Sequence, residues 1–200
     1  MKKIIKYLFL LTGGSFILAS CNDFLDREPL DSVTPDNFFF TENDLAAYAV
    51  KHYNFTTHEG FNAGIWRNDN ATDNQAATDY DKKWIPGQWK VPEAYDNPAS
   101  NDPWYFSAIR EANYFLETVV PRFEKGEIEG SETNIKHYIG EMYFLRAKNY
   151  LSKLETFGDF PIIKNTLPDE SASLIQASKR EPRHKVARFI LEDLDLAIGL

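Results

Sequence analysis

The stretch ETNIKHYIGEMYFLRAKNYLSKLETFG, residues 132–158, sets the fold class. Ile139, Tyr143, Ala147, Tyr150, Leu154 and Phe157 recur at steps of three and four, the period of one helix face. Ile135, Tyr138, Met142 and Leu145 widen that stripe into an arc broad enough to need neighbours on more than one side. The spacing predicts a helix over about Glu132–Thr156, ended by Gly158 and Pro161. Phe160–Ile163 then reads as a short extended piece.

The segments on either side follow the same period. Asp102-Pro103 reads as an N-cap followed by proline at the first helical position. Trp104, Ala108, Ala112, Phe115 and Val119 follow, and Pro121 is expected to stop that helix. The pair resembles an αα-hairpin of the helical-repeat type, although no clean repeat of about 34 residues is visible. A last helix starts near Pro182, with Val186, Phe189, Ile190, Leu194, Ala197 and Ile198 expected to face inward. A first helix spans about Glu42–Phe55, behind the capping-box-like Thr41-Glu42-Asn43-Asp44. The expected class is all-α. No stop signal marks the pattern at Leu200, so the sequence reads as the N-terminal part of a longer chain or a truncated product.

Charge divides the chain unevenly. The whole carries 22 basic and 30 acidic residues, −8. Residues 1–20 hold three lysines and no acid, leaving 19 basic against 30 acidic residues, −11, for the remainder. Such acidity argues against nucleic acid as a partner. Met1–Lys6 is a basic start and Tyr7–Ala19 an apolar run too short to span a hydrocarbon core, which needs about 20 residues. Residues 1–20 therefore read as a secretory signal peptide. Leu18-Ala19-Ser20-Cys21 is a lipobox: small residues precede the cut, and the thiol of Cys21 takes the lipid. An ordinary signal peptide leaving a free thiol is the plainer alternative. With several acyl chains, Cys21 would tether the chain to a membrane surface without a spanning helix. Residues 21–40 then form the lipid tether and N-terminal segment, and residues 41–200 the helical domain.

Gly60–Asn101 lacks a sustained period and holds three of the four tryptophans. Within it, Tyr80, Trp84 and Trp89 are candidates for an aromatic platform, with Asn74, Gln75 and Gln88 nearby for hydroxyls. Flat rings stack on the C–H faces of sugars while amides satisfy their hydroxyls. The competing reading has the same rings pinning a long loop to the helices. Asn68, Asp69, Asn70, Asp73, Asp79 and Asp81 offer hard oxygen ligands, but without the glycine turn and closing glutamate of an EF-hand. One cysteine excludes a disulfide framework, and no metal site or cofactor is expected. Arg146 is expected to pair with Glu141 or Asp159, and Trp104, Tyr143 and Tyr150 to lie in the core. His137 is expected to be packed or solvated. Enzyme motifs are absent, so catalysis is not expected; a glycosidase with paired carboxylates is the enzymatic alternative.

Several of these motifs together carry a resemblance. Cys21-Asn22-Asp23-Phe24-Leu25-Asp26, then Pro35-Asp36-Asn37-Phe38-Phe39 with Thr41-Glu42, resemble the start of SusD/RagB-type lipoproteins of Bacteroidetes. Ile109 followed four residues later by Asn113, in WYFSAIREAN, is similar to that family's aromatic–Ile–x–x–x–Asn helix. Gly140–Ala147, Phe157–Ile162, Pro182-Arg183 and Glu192–Ile198 continue the match in order. The resemblance implies tetratricopeptide-like helix pairs and an outer-membrane lipoprotein, exposed at the cell surface. It implies capture of an oligosaccharide or other nutrient for import, with a TonB-dependent (SusC-like) transporter as partner. A helical docking scaffold that meets the transporter without its own ligand is the alternative.

Overall fold

The computed structural model describes residues 38–53, 85–88, 90–92 and 103–200. The chain falls into two compact units, Met1–Phe38 and Phe39–Leu200, and the elements below belong to the second. They are α1 (Glu42–Val50), α2 (Ser107–Glu124), α3 (Glu132–Phe157), α4 (Ser171–Ala177) and α5 (Arg183–Gly199). Among the described residues no strand forms; extended backbone pairs only at two isolated bridges, Thr41 with Glu129 and Phe160 with Glu181. The fold is all-α.

Helix α3 is the hub, packing against α5, α2 and α1. Its wide apolar arc makes this possible. Ala147, Tyr150 and Phe157 meet Ile109 of α2 and Val186, Phe189 and Ile190 of α5, with Phe160 enclosed among them. Each large apolar side chain so buried stabilises the fold by about 1.5–3 kcal/mol. The small Ala147 and Gly140 allow close approach: a Cβ on Gly140 would meet the Ala197 carbonyl oxygen at 3.0 Å.

Helix α1 begins with the expected capping box. The Thr41 hydroxyl accepts from the Asp44 amide at 3.2 Å, and the Asp44 carboxylate accepts from the Thr41 amide at 3.0 Å. Glu42 reaches the start of α3, where its carboxylate accepts from the Ser131 amide at 2.7 Å and from Asn134 at 3.2 Å. Ser131 caps nothing with its own side chain, so this borrowed anion satisfies the helix start.

Four expectations are corrected. Helix α1 ends at Val50, and the amides of His52 and Tyr53 close short turns to Ala49 and Val50. Helix α2 begins at Ser107, because the Lys153 ammonium takes the carbonyls of Pro103 and Tyr105. Pro121 lies inside the last turn, and the helix runs on to Glu124. There Gly126 (φ +69°) stops it: its amide bonds Phe123, and the next amide bonds Arg122, a Schellman pattern. Ile198 is 83% exposed, since it stands at the rim of an open groove that α5 forms with Gly140 and Phe144 of α3 instead of packing into it.

His52 sets a pH prediction. Its Nδ1 lies 3.4 Å from the Glu111 carboxylate, while Nε2 is buried without a hydrogen-bond partner. Burial pushes its pKa below the ordinary 6.5, against the pull of Glu111. A depressed folded pKa means the unfolded chain binds the proton first. The stabilising contribution is therefore complete above about pH 6.5 and is lost as pH falls through the folded value. Urea midpoints should drop between about pH 7.5 and pH 5.5, with a shallower drop in His52→Asn. Parallel profiles for the two proteins would contradict this.

Candidate binding cleft

Tyr150 and Arg146, one helical turn apart on α3, are both buried. The Tyr150 hydroxyl accepts from the Ile163 amide at 2.8 Å and donates to the Ile163 carbonyl at 3.1 Å. Burial pushes this phenol up to about 12, so it stays protonated and serves both roles. Arg146 meets Asp193 of α5 in a two-pronged pair: Nε to Oδ2 at 2.8 Å and an Nη to Oδ1 at 2.7 Å. Its other Nη donates to Asn113 Oδ1 at 2.9 Å and to the Lys164 carbonyl at 3.3 Å. Asn113 Nδ2 in turn donates to the carbonyls of Ile163 (2.9 Å) and Asn165 (3.3 Å).

The expected partners of Arg146 are thus corrected. Glu141 accepts from the Tyr53 hydroxyl and lies 3.0 Å from His137. Asp159 accepts from the Arg183 amide at 2.8 Å, at the start of α5. A buried guanidinium needs a partner that is itself buried and fork-shaped, and Asp193, 1% exposed, is that group.

This network holds the extended segment 160–166 against the helices. The Phe160 and Glu181 backbones exchange two hydrogen bonds of 3.1 Å, and Glu117 accepts from the Thr166 amide at 3.0 Å. The pinned segment forms one wall of a cleft of about 370 Å³; α2 forms the other, and α4 lies at its edge. That volume is at the lower end of the range for small-molecule sites. Trp104, Phe106, Ile109, Ile163, Leu167 and Leu174 make the lining mainly apolar. Trp104 is half-buried rather than central: its ring lies tilted against Phe157, centres 4.1 Å apart, and Nε1 donates to the Pro92 carbonyl at 2.8 Å. Tyr143 is likewise half-buried, while Tyr150 is fully enclosed.

Cys21, Tyr80, Trp84 and Trp89 lie outside the described residues, as do the acidic and amide groups of 68–81. Between the two tryptophans, Ile85–Gln88 forms a turn closed by the Gln88 amide on the Ile85 carbonyl at 3.0 Å. Pro86 and Gly87 (φ +79°) give it type II character. Sequence reasoning quoted Asn113 and the stretch holding Asp193 only as parts of motifs, and missed their bonds to Arg146 and the cleft. The available signal was a polar residue at an inward helical position: Asn113 among Ile109, Ala112 and Leu116, and Asp193 after Val186 and Ile190.

Comparison with known proteins decides the lineage. Residues 23–200 match the SusD-like family model described as starch-binding and associating with the outer membrane. This chain belongs to the SusD-like family. It is 26% identical over 186 residues to SusD-like protein P2 of Formosa agariphila, covering 90% of this chain and 35% of that one. It is 27% identical over 198 residues to SusD-like protein P38 of the same organism, covering 96% and 36%. The chain therefore spans about a third of the length of these curated relatives. The crystal structure of a SusD-like protein from Bacteroides fragilis superposes with a TM-score of 0.54 at 23% identity, over 86% of this chain and 32% of that one. That likeness supports the all-α SusD-like fold.

Proposed function

We propose that this chain belongs to a non-catalytic surface lipoprotein that captures oligosaccharide for import by a TonB-dependent outer-membrane transporter. The observation that carries the reading is the family match across residues 23–200, whose description joins starch binding to the outer membrane. Residues 1–20 act as the leader, 21–40 as the tether, and 41–200 as the helical domain. Attachment runs through lipid on Cys21, which ends the Leu18-Ala19-Ser20-Cys21 lipobox. Binding is by surface fit, without cofactor or bond-making. Tyr80, Trp84 and Trp89 supply the aromatic platform for the sugar faces.

Affinity electrophoresis in gels containing soluble starch tests this, with other polysaccharides run in parallel. The chain should be retarded by at least one glycan, and Trp84→Ala with Trp89→Ala should remove the retardation while leaving the melting curve in place. Joint loss of retardation and stability would assign the rings to loop packing. No retardation by any glycan, with retained capture by the transporter barrel, would leave a docking scaffold.

A further inference from the structure

A second kind of ligand is suggested by the cleft between α2 and the 160–166 segment. Among the described residues its lining holds no carboxylate, and of its two amides that of Asn113 is already engaged by Arg146 and by the carbonyls of Ile163 and Asn165. Arg110 is, among the described residues, the one charged residue lining it. A second guanidinium, that of Arg180, sits 5.0 Å from the centre of the Trp104 ring. Both arginines are exposed, and among the described residues neither has a carboxylate partner. In a chain with eight more acidic than basic residues, two unpaired guanidiniums beside an apolar cleft favour an anion. Helix α4 points the same way. It buries none of its own residues, yet Leu174 and Ala177 line the cleft.

We infer that this cleft binds the flat or chain-like apolar body of a small organic carboxylate, whose anionic end is met by Arg110 and Arg180. The apolar body lies against Phe106, Ile109 and Leu174, and α4 gains the packing partner it lacks. Arg180, already over Trp104, can swing from the ring to the carboxylate without desolvating a buried charge. Carboxylate binding here does not rest on the glycan reading.

Naphthalene-2-carboxylate is a suitable probe, titrated into the whole chain and followed by ligand-observed magnetic resonance. Saturable binding is expected, at least about tenfold tighter than that of the neutral naphthalene-2-methanol, a difference of about 1.4 kcal/mol. Arg110→Gln with Arg180→Gln should erase that preference. Both substitutions are on exposed side chains, so folding is not at risk. Ala177→Trp should fill the cleft and abolish binding of both probes. Equal binding of charged and neutral probes overturns the assignment. So does a preference that survives loss of both arginines, and so does absence of saturable binding. Displacement of the probe by soluble malto-oligosaccharide also overturns it, by making the cleft a sugar site.

Discussion

Arg146→Met should destabilise the chain by about 3–5 kcal/mol, read as a lower urea midpoint with an unchanged slope. The reason is what the substitution leaves behind. Asp193 is 1% exposed, and its carboxylate would keep no cation. Asn113 Oδ1 and the Lys164 carbonyl would lose their donor as well. A whole domain is stable by only about 5–15 kcal/mol, so the loss takes a large share. The control is Arg146→Met with Asp193→Leu, which removes both charges. Most of the stability should return, because two buried charges replaced by apolar groups are often neutral or better. Added salt should change little, since the pair is shielded from solvent. The exposed Lys136–Glu132 pair gives the contrast: breaking it should move the urea midpoint far less, because solvent and salt screen it. A single-site cost below about 1 kcal/mol would show that Asp193 reaches water or sheds its charge.

The same residues show what could be read in advance. Helix α3 was legible because its apolar period persists over 26 residues, and no local feature competes with it. The start of α2 was not, because it depends on Lys153, about 50 residues away, taking carbonyls that a helix would otherwise use. Helix α4 was invisible for a different reason. Seven residues that bury nothing leave no period to detect. That Arg146 would be paired was clear from its place beside an apolar stripe, but the acids expected for it, Glu141 and Asp159, were the wrong ones. Its partner lies 47 residues on, and only the packing of α5 against α3 brings it near. The cleft was hidden for the same cause, since its two walls come from separate segments joined by that network. The leader, the cysteine and the aromatic-rich stretch are compositional, local readings that stay expectations, since residues 1–21 and the rings of Tyr80, Trp84 and Trp89 fall outside the described residues.

Phe160→Ala should cost about 3–5 kcal/mol, the range for truncating a buried aromatic ring. Phe160 has no exposed surface and stands at the crossing of four other rings. Phe106 lies 5.2 Å away and nearly parallel, Phe157 at 5.2 Å, Trp104 at 5.8 Å, and Tyr150 edge-on at 6.3 Å. Little can collapse into the void, because the Phe160 backbone is fixed by its two hydrogen bonds to Glu181. Cavity cost therefore adds to the lost transfer energy instead of relaxing away. Phe160→Leu keeps much of the volume and should cost clearly less, with the lost ring contacts, each about 0.5–1.5 kcal/mol, as the remainder. Trp104→Ala combined with Phe160→Ala should cost less than the two separately, by about 0.5–3 kcal/mol, because the rings share one cluster. Denaturant titration of all four proteins measures this. Strict additivity would mean that Trp104 is held by contacts other than Phe160, among them Phe157, the Pro92 carbonyl and Arg180. In that case the cleft wall on which Trp104 sits would not depend on the ring packing behind it.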